Sequence, residues 1–236
     1  RDELENLNRL KTDFVSIVTH ELRSPLAAIH EGVELIRSGT VGSVNEKQKR
    51  LLDIIKRSMD RLNRLVTNVL DFQKVQNAEG NLQLSQNSIN DVIHEACQSA
   101  GLVAKEKGLD LKLELEKNIP LFPFERDKIT QVLTNLIGNA IKFTDSGYIK
   151  IKAFRENDSV HVEIFDTGMG ISKDDIPKLF QAFQQLNISK EKKTGGSGMG
   201  LAICRGIVSL HKGKIWVESD PGRGTTFHFT LPINLH

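Results

Sequence analysis

The spacing of the apolar residues changes partway along the 236-residue chain, and that change constrains the fold more than any single motif. Near the start Leu7, Leu10, Phe14 and Ile17 recur in alternating steps of three and four, the seam spacing of a coiled coil or helical bundle. A second helical run carries Leu51, Ile54, Ile55, Leu62, Leu65, Val69 and Phe72, and the turn-rich stretch Ser38 to Asn45 joins the two. Residues 1–76 are therefore expected to form an antiparallel helical hairpin. Its apolar face needs a partner, and pairing two copies into a dimeric four-helix bundle supplies one.

Residues 77–87, rich in Asn, Gln, Gly and Ser, break the pattern and are expected to be a linker. From 88 to 236 the period alternates between two and 3.6. Strand-like segments occupy Leu109–Leu115, Tyr148–Phe154, Val160–Asp166, Lys214–Glu218 and Thr225–Leu231. Helical runs lie at about Ile89–Lys107, Asp127–Phe143 and Leu201–His211. That order predicts an α+β two-layer sandwich, with helices on one face of a mixed sheet.

Charge excludes some functions. Lys plus Arg number 32 against 30 Asp plus Glu, so there is no net field to hold nucleic acid or a membrane surface. Cys97 and Cys204 lack metal-ligand spacing and imply a reducing compartment. No apolar run reaches membrane-spanning length, and the chain opens at Arg1 inside a helical pattern. We expect a cytoplasmic piece of a longer protein, with or without a membrane anchor elsewhere in it.

Four stretches carry chemistry. In Thr19-His20-Glu21-Leu22-Arg23-Ser24-Pro25-Leu26, helical spacing sets Phe14, Val15, Ile17, Val18 and Leu22 on one side and His20 on the other. An imidazole facing water is an accessible nucleophile, and Glu21 beside it can take or orient the ring proton; taken alone, the two read more readily as an ordinary polar pair. On the helix 127–143, Gln131, Asn135, Asn139 and Lys142 stack on one face. Amide oxygens suit Mg²⁺ and a lysine suits phosphate, while a solvated helix face explains any one of them. Asp166-Thr167-Gly168-Met169-Gly170 ends a strand, where a carboxylate can accept the adenine amino group, although the same pattern also marks turns. Gly195-Gly196-Ser197-Gly198-Met199-Gly200 runs into a helix from Leu201, giving an anion site that is neither a P-loop nor a Rossmann turn. Gln184 to Thr194 can serve as a lid, and Gly222-Arg223-Gly224-Thr225 is as consistent with a tight turn as with a nucleotide contact.

In this order the stretches resemble the two-component sensor histidine kinases. The segment at His20 resembles their phospho-acceptor box, Asn135–Thr144 their asparagine box, and Asp166–Ile171, Gly195–Leu201 and Gly222–Phe227 their three glycine boxes. Phe180 and Phe183 resemble their phenylalanine box. The resemblance implies a protein histidine kinase that moves the γ-phosphoryl group of ATP, with Mg²⁺, to His20 and then to an aspartate of a response regulator. It implies that Glu21 is the acid/base neighbour, that Asn139 is the Mg²⁺ ligand and that Asp166 anchors adenine. Asn135, Lys142, Gly168, Gly170, Lys192, Gly196, Gly198, Gly200, Leu201 and Thr226 complete the implied nucleotide site, and Ser24 is implicated in dephosphorylation. The chain departs from the family's usual residues at Ser24, Glu125, Lys192 and Met199. The sandwich also resembles type II topoisomerase ATPase domains, which place a Glu four residues before the Mg²⁺-binding Asn. Here Asn135 stands there, and an amide cannot take a proton from water at neutral pH. A hydrolysing ATPase and a non-catalytic scaffold are the competing functions.

Overall fold

The structure is a computed structural model that describes residues 18, 22, 24–77, 82–184 and 198–234, the side chains of 74–77 excepted. It divides into two compact units, residues 1–77 and 78–236.

In the first unit helix α1 covers 24–37 of the described residues, a turn follows, and α2 spans Glu46–Asn77. Asn45 and Gln48 start α2 with a reciprocal cap: the Asn45 amide donates to Gln48 Oε1 (2.8 Å), and the Gln48 amide to Asn45 Oδ1 (2.9 Å). The buried stripe of α2 is Leu52, Met59 and Val66, spaced by seven; Leu52 and Met59 pack with Val33 of α1. Lys56 pairs with Glu34, and Arg37 reaches Glu34 and Asp53. Most of the α2 residues picked out by sequence lie elsewhere: Leu51, Ile54, Ile55 and Leu62 are exposed. The heptad stripe one position along won, because it is the stripe that faces α1. Leu7, Leu10, Phe14 and Ile17 lie outside the described residues.

The second unit holds a five-stranded sheet in the order β2-β4-β5-β7-β6. Its strands are β2 (Asp110–Leu115), β4 (Tyr148–Glu156), β5 (Ser159–Asp166), β6 (Lys214–Asp220) and β7 (Gly224–Pro232). Only β2 and β4 run parallel. The β4–β5 turn carries Asn157 at φ 55°, the left-handed backbone that a two-residue hairpin demands. Helices α3 (Ile89–Glu106), α4 (Arg126–Phe143) and α5 (Gly200–Leu210) cover one face. Their buried residues include Ile93, Ile129, Leu133, Ile137 and Ile207, and the sheet buries Ile149, Ile151, Val162, Ile164, Phe227 and Phe229.

The stretch 77–87, expected to be a linker, ends in a short strand. Ser85–Asn87 is strand β1, paired with β3 (Phe122–Phe124), and so belongs to the second unit. Neither strand was foreseen, since three residues are too few to show a period. Among the described residues, no helix is long and apolar enough to cross a membrane. Both cysteines are free and buried.

Candidate functional site

The site is built on α4. One face of this helix is packed through Ile129, Val132, Leu133, Leu136, Ile137 and Ala140. The opposite face carries Asn135, Asn139 and Lys142, all half-buried. Seven residues at 100° each bring Lys142 back within about 20° of Asn135. Burial lowers the pKa of Lys142, and its Nζ lies 4.9 Å from the Phe143 ring centroid. An ammonium held half out of water gains from an anion placed beside it.

At the C-terminal end of α4 stands Asp166, the last residue of β5 and only 4% exposed. Desolvation pushes its carboxyl up to about 6 against the opposing hydrogen bonds. Those bonds come from the Gly168 amide (2.8 Å to Oδ1), the Thr144 hydroxyl (3.5 Å) and the Thr225 backbone. Gly168 is required sterically: a Cβ there would stand 2.6 Å from both Asp166 Oδ1 and the Phe143 carbonyl. Gly170, at φ 71°, lies so close to the Asp220 carbonyl that no side chain fits.

At the other end of the α4 polar face lies the N-terminus of α5. A Cβ on Gly200 would come within 3.4 Å of Asn135 Oδ1, so the first turn of α5 sits against the asparagine face. Met199, the buried N-cap residue, offers no side-chain cap, and the first turn of a helix favours an anion at its amides. Leu201 follows, half-buried, on α5. Gly198 closes the approach at φ 70°, its carbonyl accepting from the Phe183 amide at 3.1 Å. Asn135 and Thr144 are nine residues apart, about 13 Å of helix. A buried carboxylate thus marks one end of an elongated face and a helix N-terminus the other.

Of the residues singled out in the sequence, the structure places Gly200 beside Asn135 and Gly168 beside Asp166, with Asn139 and Lys142 on the Asn135 face of α4. It corrects Thr226. In the β5–β7 register Asp166 pairs with Thr225 and Phe165 with Thr226, so Thr226 turns to the opposite face of the sheet. Thr225, 5% exposed, and Thr144, fully buried, are the threonines beside the carboxylate. The signal for Thr225 lay in the alternation of β7: it shares parity with the core residues Phe227, Phe229 and Leu231. Ser24 is exposed on α1. His20, Glu21, Lys192 and Gly196 lie outside the described residues.

These features define a nucleotide-binding α+β sandwich that follows a helical hairpin. Residues 124–235 match the family model described as histidine kinase-, DNA gyrase B- and HSP90-like ATPase. Residues 10–78 match the His Kinase A (phospho-acceptor) domain. The catalytic domain of the histidine kinase ThkA is 30% identical, with a TM-score of 0.58 over 64% of this chain and 97% of that one. Full-length ShkA in complex with AMPPNP aligns over 95% of this chain and 46% of its own, at TM-score 0.83 and 26% identity. The autoinducer 2 sensor kinase/phosphatase LuxQ of Vibrio parahaemolyticus is 32% identical over 99% of this chain, which spans 28% of that relative. This chain belongs to the histidine kinases.

Proposed function

We propose that the chain autophosphorylates His20 from ATP and passes the phosphoryl group to an aspartate of a response regulator. The observation that carries the reading is the buried Asp166 carboxylate at one end of the α4 polar face, with the N-terminus of α5 at the other. Asp166 accepts the adenine amino group, in the space that a Cβ on Gly168 would narrow. The α5 amides and Lys142 hold phosphate oxygens. The donor set fits magnesium: the Asn139 amide oxygen is a hard ligand for an ion that takes few protein ligands. When bound, the ion neutralises charge on the phosphates.

In the transfer, one imidazole nitrogen of His20 gives its lone pair to the γ-phosphorus. The bond to the β-phosphate oxygen breaks, ADP leaves with that electron pair, and Glu21 takes the proton of the other ring nitrogen. Asn135 supports this reading over hydrolysis, because a half-buried amide at that place cannot activate water. Ser24, four residues after His20 in the sequence, positions the water that later removes phosphate from the regulator. The hairpin pairs with a second copy through its uncovered apolar residues. The two buried free cysteines suit the reducing cytoplasm.

Incubation with Mg²⁺ and ATP labelled at the γ position is expected to leave label that acid removes and base does not. His20→Gln is expected to abolish the label while nucleotide binding persists, and Glu21→Gln to slow labelling by ~10²–10⁴-fold. Acid-stable label, label retained in His20→Gln, or steady ATP turnover without protein-bound phosphate would each overturn the assignment.

A further inference from the structure

The helices cover one face of the sheet, and on the other face lies a cluster that the nucleotide site does not use. His161 and Glu163 of β5 and His228 of β7 each present one ligand atom, and the three atoms lie within 4.8 Å of one another. The register puts them on one side, since Glu163 is directly opposite His228 and His161 is two residues away along β5. His161 Nε2 lies 3.2 Å from His228 Nδ1, and Glu163 Oε1 lies 3.8 Å from the same Nδ1. Bonds of about 2.0–2.1 Å to a tetrahedral ion imply ligand separations of about 3.3 Å, close to these spacings.

The surroundings match those of a metal-bound histidine pair. His161 Nδ1 lies 3.1 Å from Glu156 Oε2, and His228 Nε2 lies 3.9 Å from Glu218 Oε2, so each ring has a carboxylate behind the nitrogen that faces away from the cluster. Trp216 stacks on His228, with centroids 4.9 Å apart and planes 3° from parallel, and fixes the orientation of that ring. Both histidines are 7% exposed. The Glu163 side chain is 22% exposed and leaves an approach from solvent.

A second, independent observation points the same way. His228 Nε2 is buried and has no hydrogen-bond partner among the described residues. With the Nδ1 proton of His161 given to Glu156, His161 Nε2 accepts the Nδ1 proton of His228. That leaves His228 Nε2 a bare acceptor facing a carboxylate, which is costly when buried. A cation between the rings reverses the tautomer of His228: Nδ1 turns its lone pair to the ion, and Nε2 carries the proton toward Glu218. No proton is gained or lost, and the orphaned nitrogen acquires a donor role.

We infer that His161, Glu163 and His228 form a binding site for a divalent transition metal of the zinc type on the open face of the sheet, with the fourth coordination position left to solvent. Two imidazoles and one carboxylate are a ligand set that zinc accepts, whereas magnesium and calcium prefer oxygen throughout. Lys152, 3.8 Å from Glu163 Oε2, holds the carboxylate when no ion is bound and is the cation that the metal displaces.

The test uses the chelator-stripped full chain titrated with zinc chloride alone. Trp216 is the only tryptophan, so its fluorescence reports directly on the ring stacked against it. A saturable change at one zinc per chain is expected, with the same stoichiometry by calorimetry. Glu163→Gln keeps shape and volume and is expected to weaken binding at least tenfold. Glu156→Gln, which removes only the support behind His161, is expected to weaken it ~10-fold or more. Unchanged circular dichroism and nucleotide affinity in both variants show that the fold is intact. Absence of saturable binding at millimolar zinc would overturn the site, as would affinity unchanged in Glu163→Gln, which would assign the zinc to histidines elsewhere in the chain.

Discussion

Asp166 shows how a single side chain is tuned by its place. It ends a strand, lies beneath the last turn of α4, and is raised from 3.8 to about 6 because burial penalises its charge more than Gly168, Thr144 and Thr225 relieve it. The folded state thus holds the proton more tightly than the unfolded state. Its contribution to stability is greatest at low pH and declines as pH rises from about 4 through about 6. On the proposed role of Asp166, nucleotide affinity has the opposite sign, since an ionised carboxylate accepts from the exocyclic amine more strongly than a neutral carboxyl does. Affinity for a fluorescent ATP analogue is expected to rise with pH through about 6 and then level, and Asp166→Asn is expected to bind more weakly with that step removed. A step that survives the substitution would place the titrating group elsewhere. The carboxylate was legible in the sequence from its position before Gly168 and Gly170. Its threonine partners were not, because Thr144 and Thr225 are joined to it only by the packing of α4 and β7 against β5.

At the scale of elements, α4 carries both the core and the site. Its packed side is buried completely at Ile129, Leu133 and Ile137, while its other side holds Asn135, Asn139 and Lys142. Leu133→Ala is expected to lower stability by about 2–5 kcal/mol in denaturant unfolding, by lost transfer energy and an unfilled cavity. Nucleotide affinity per folded molecule is expected to change far less, since Leu133 faces away from the site; an unaltered unfolding midpoint would contradict the packing. The helix was legible because an 18-residue amphipathic run spans several periods. Strands β1 and β3, three residues each, were not: their pairing joins segments far apart in sequence.

For the whole molecule, the hairpin poses the question of assembly. Leu22, Ile29 and Ile36 of the first helical region recur every seven residues at 45%, 52% and 43% exposure. Leu51, Ile55 and Leu62 on α2 are 60%, 44% and 44% exposed. This seam is distinct from the buried stripe that joins the two helices, and so large an uncovered apolar surface calls for a second copy. Light scattering is expected to give about twice the chain mass of 26.4 kDa, and Ile29→Glu with Leu62→Glu to shift it toward one chain. A strict monomer at high protein concentration would refute the bundle. The features legible along the chain were local and periodic: the helical hairpin, the α+β order that follows it, and the carboxylate that ends β5. Those signals repeat over a few residues, within reach of one helix turn or one strand pleat. Tertiary structure alone decided which α2 stripe is covered, that Thr225 rather than Thr226 faces Asp166, and that His161 meets His228 across 67 residues of chain. Each of these depends on register between elements distant in sequence, where a shift of one residue turns every side chain to the other face.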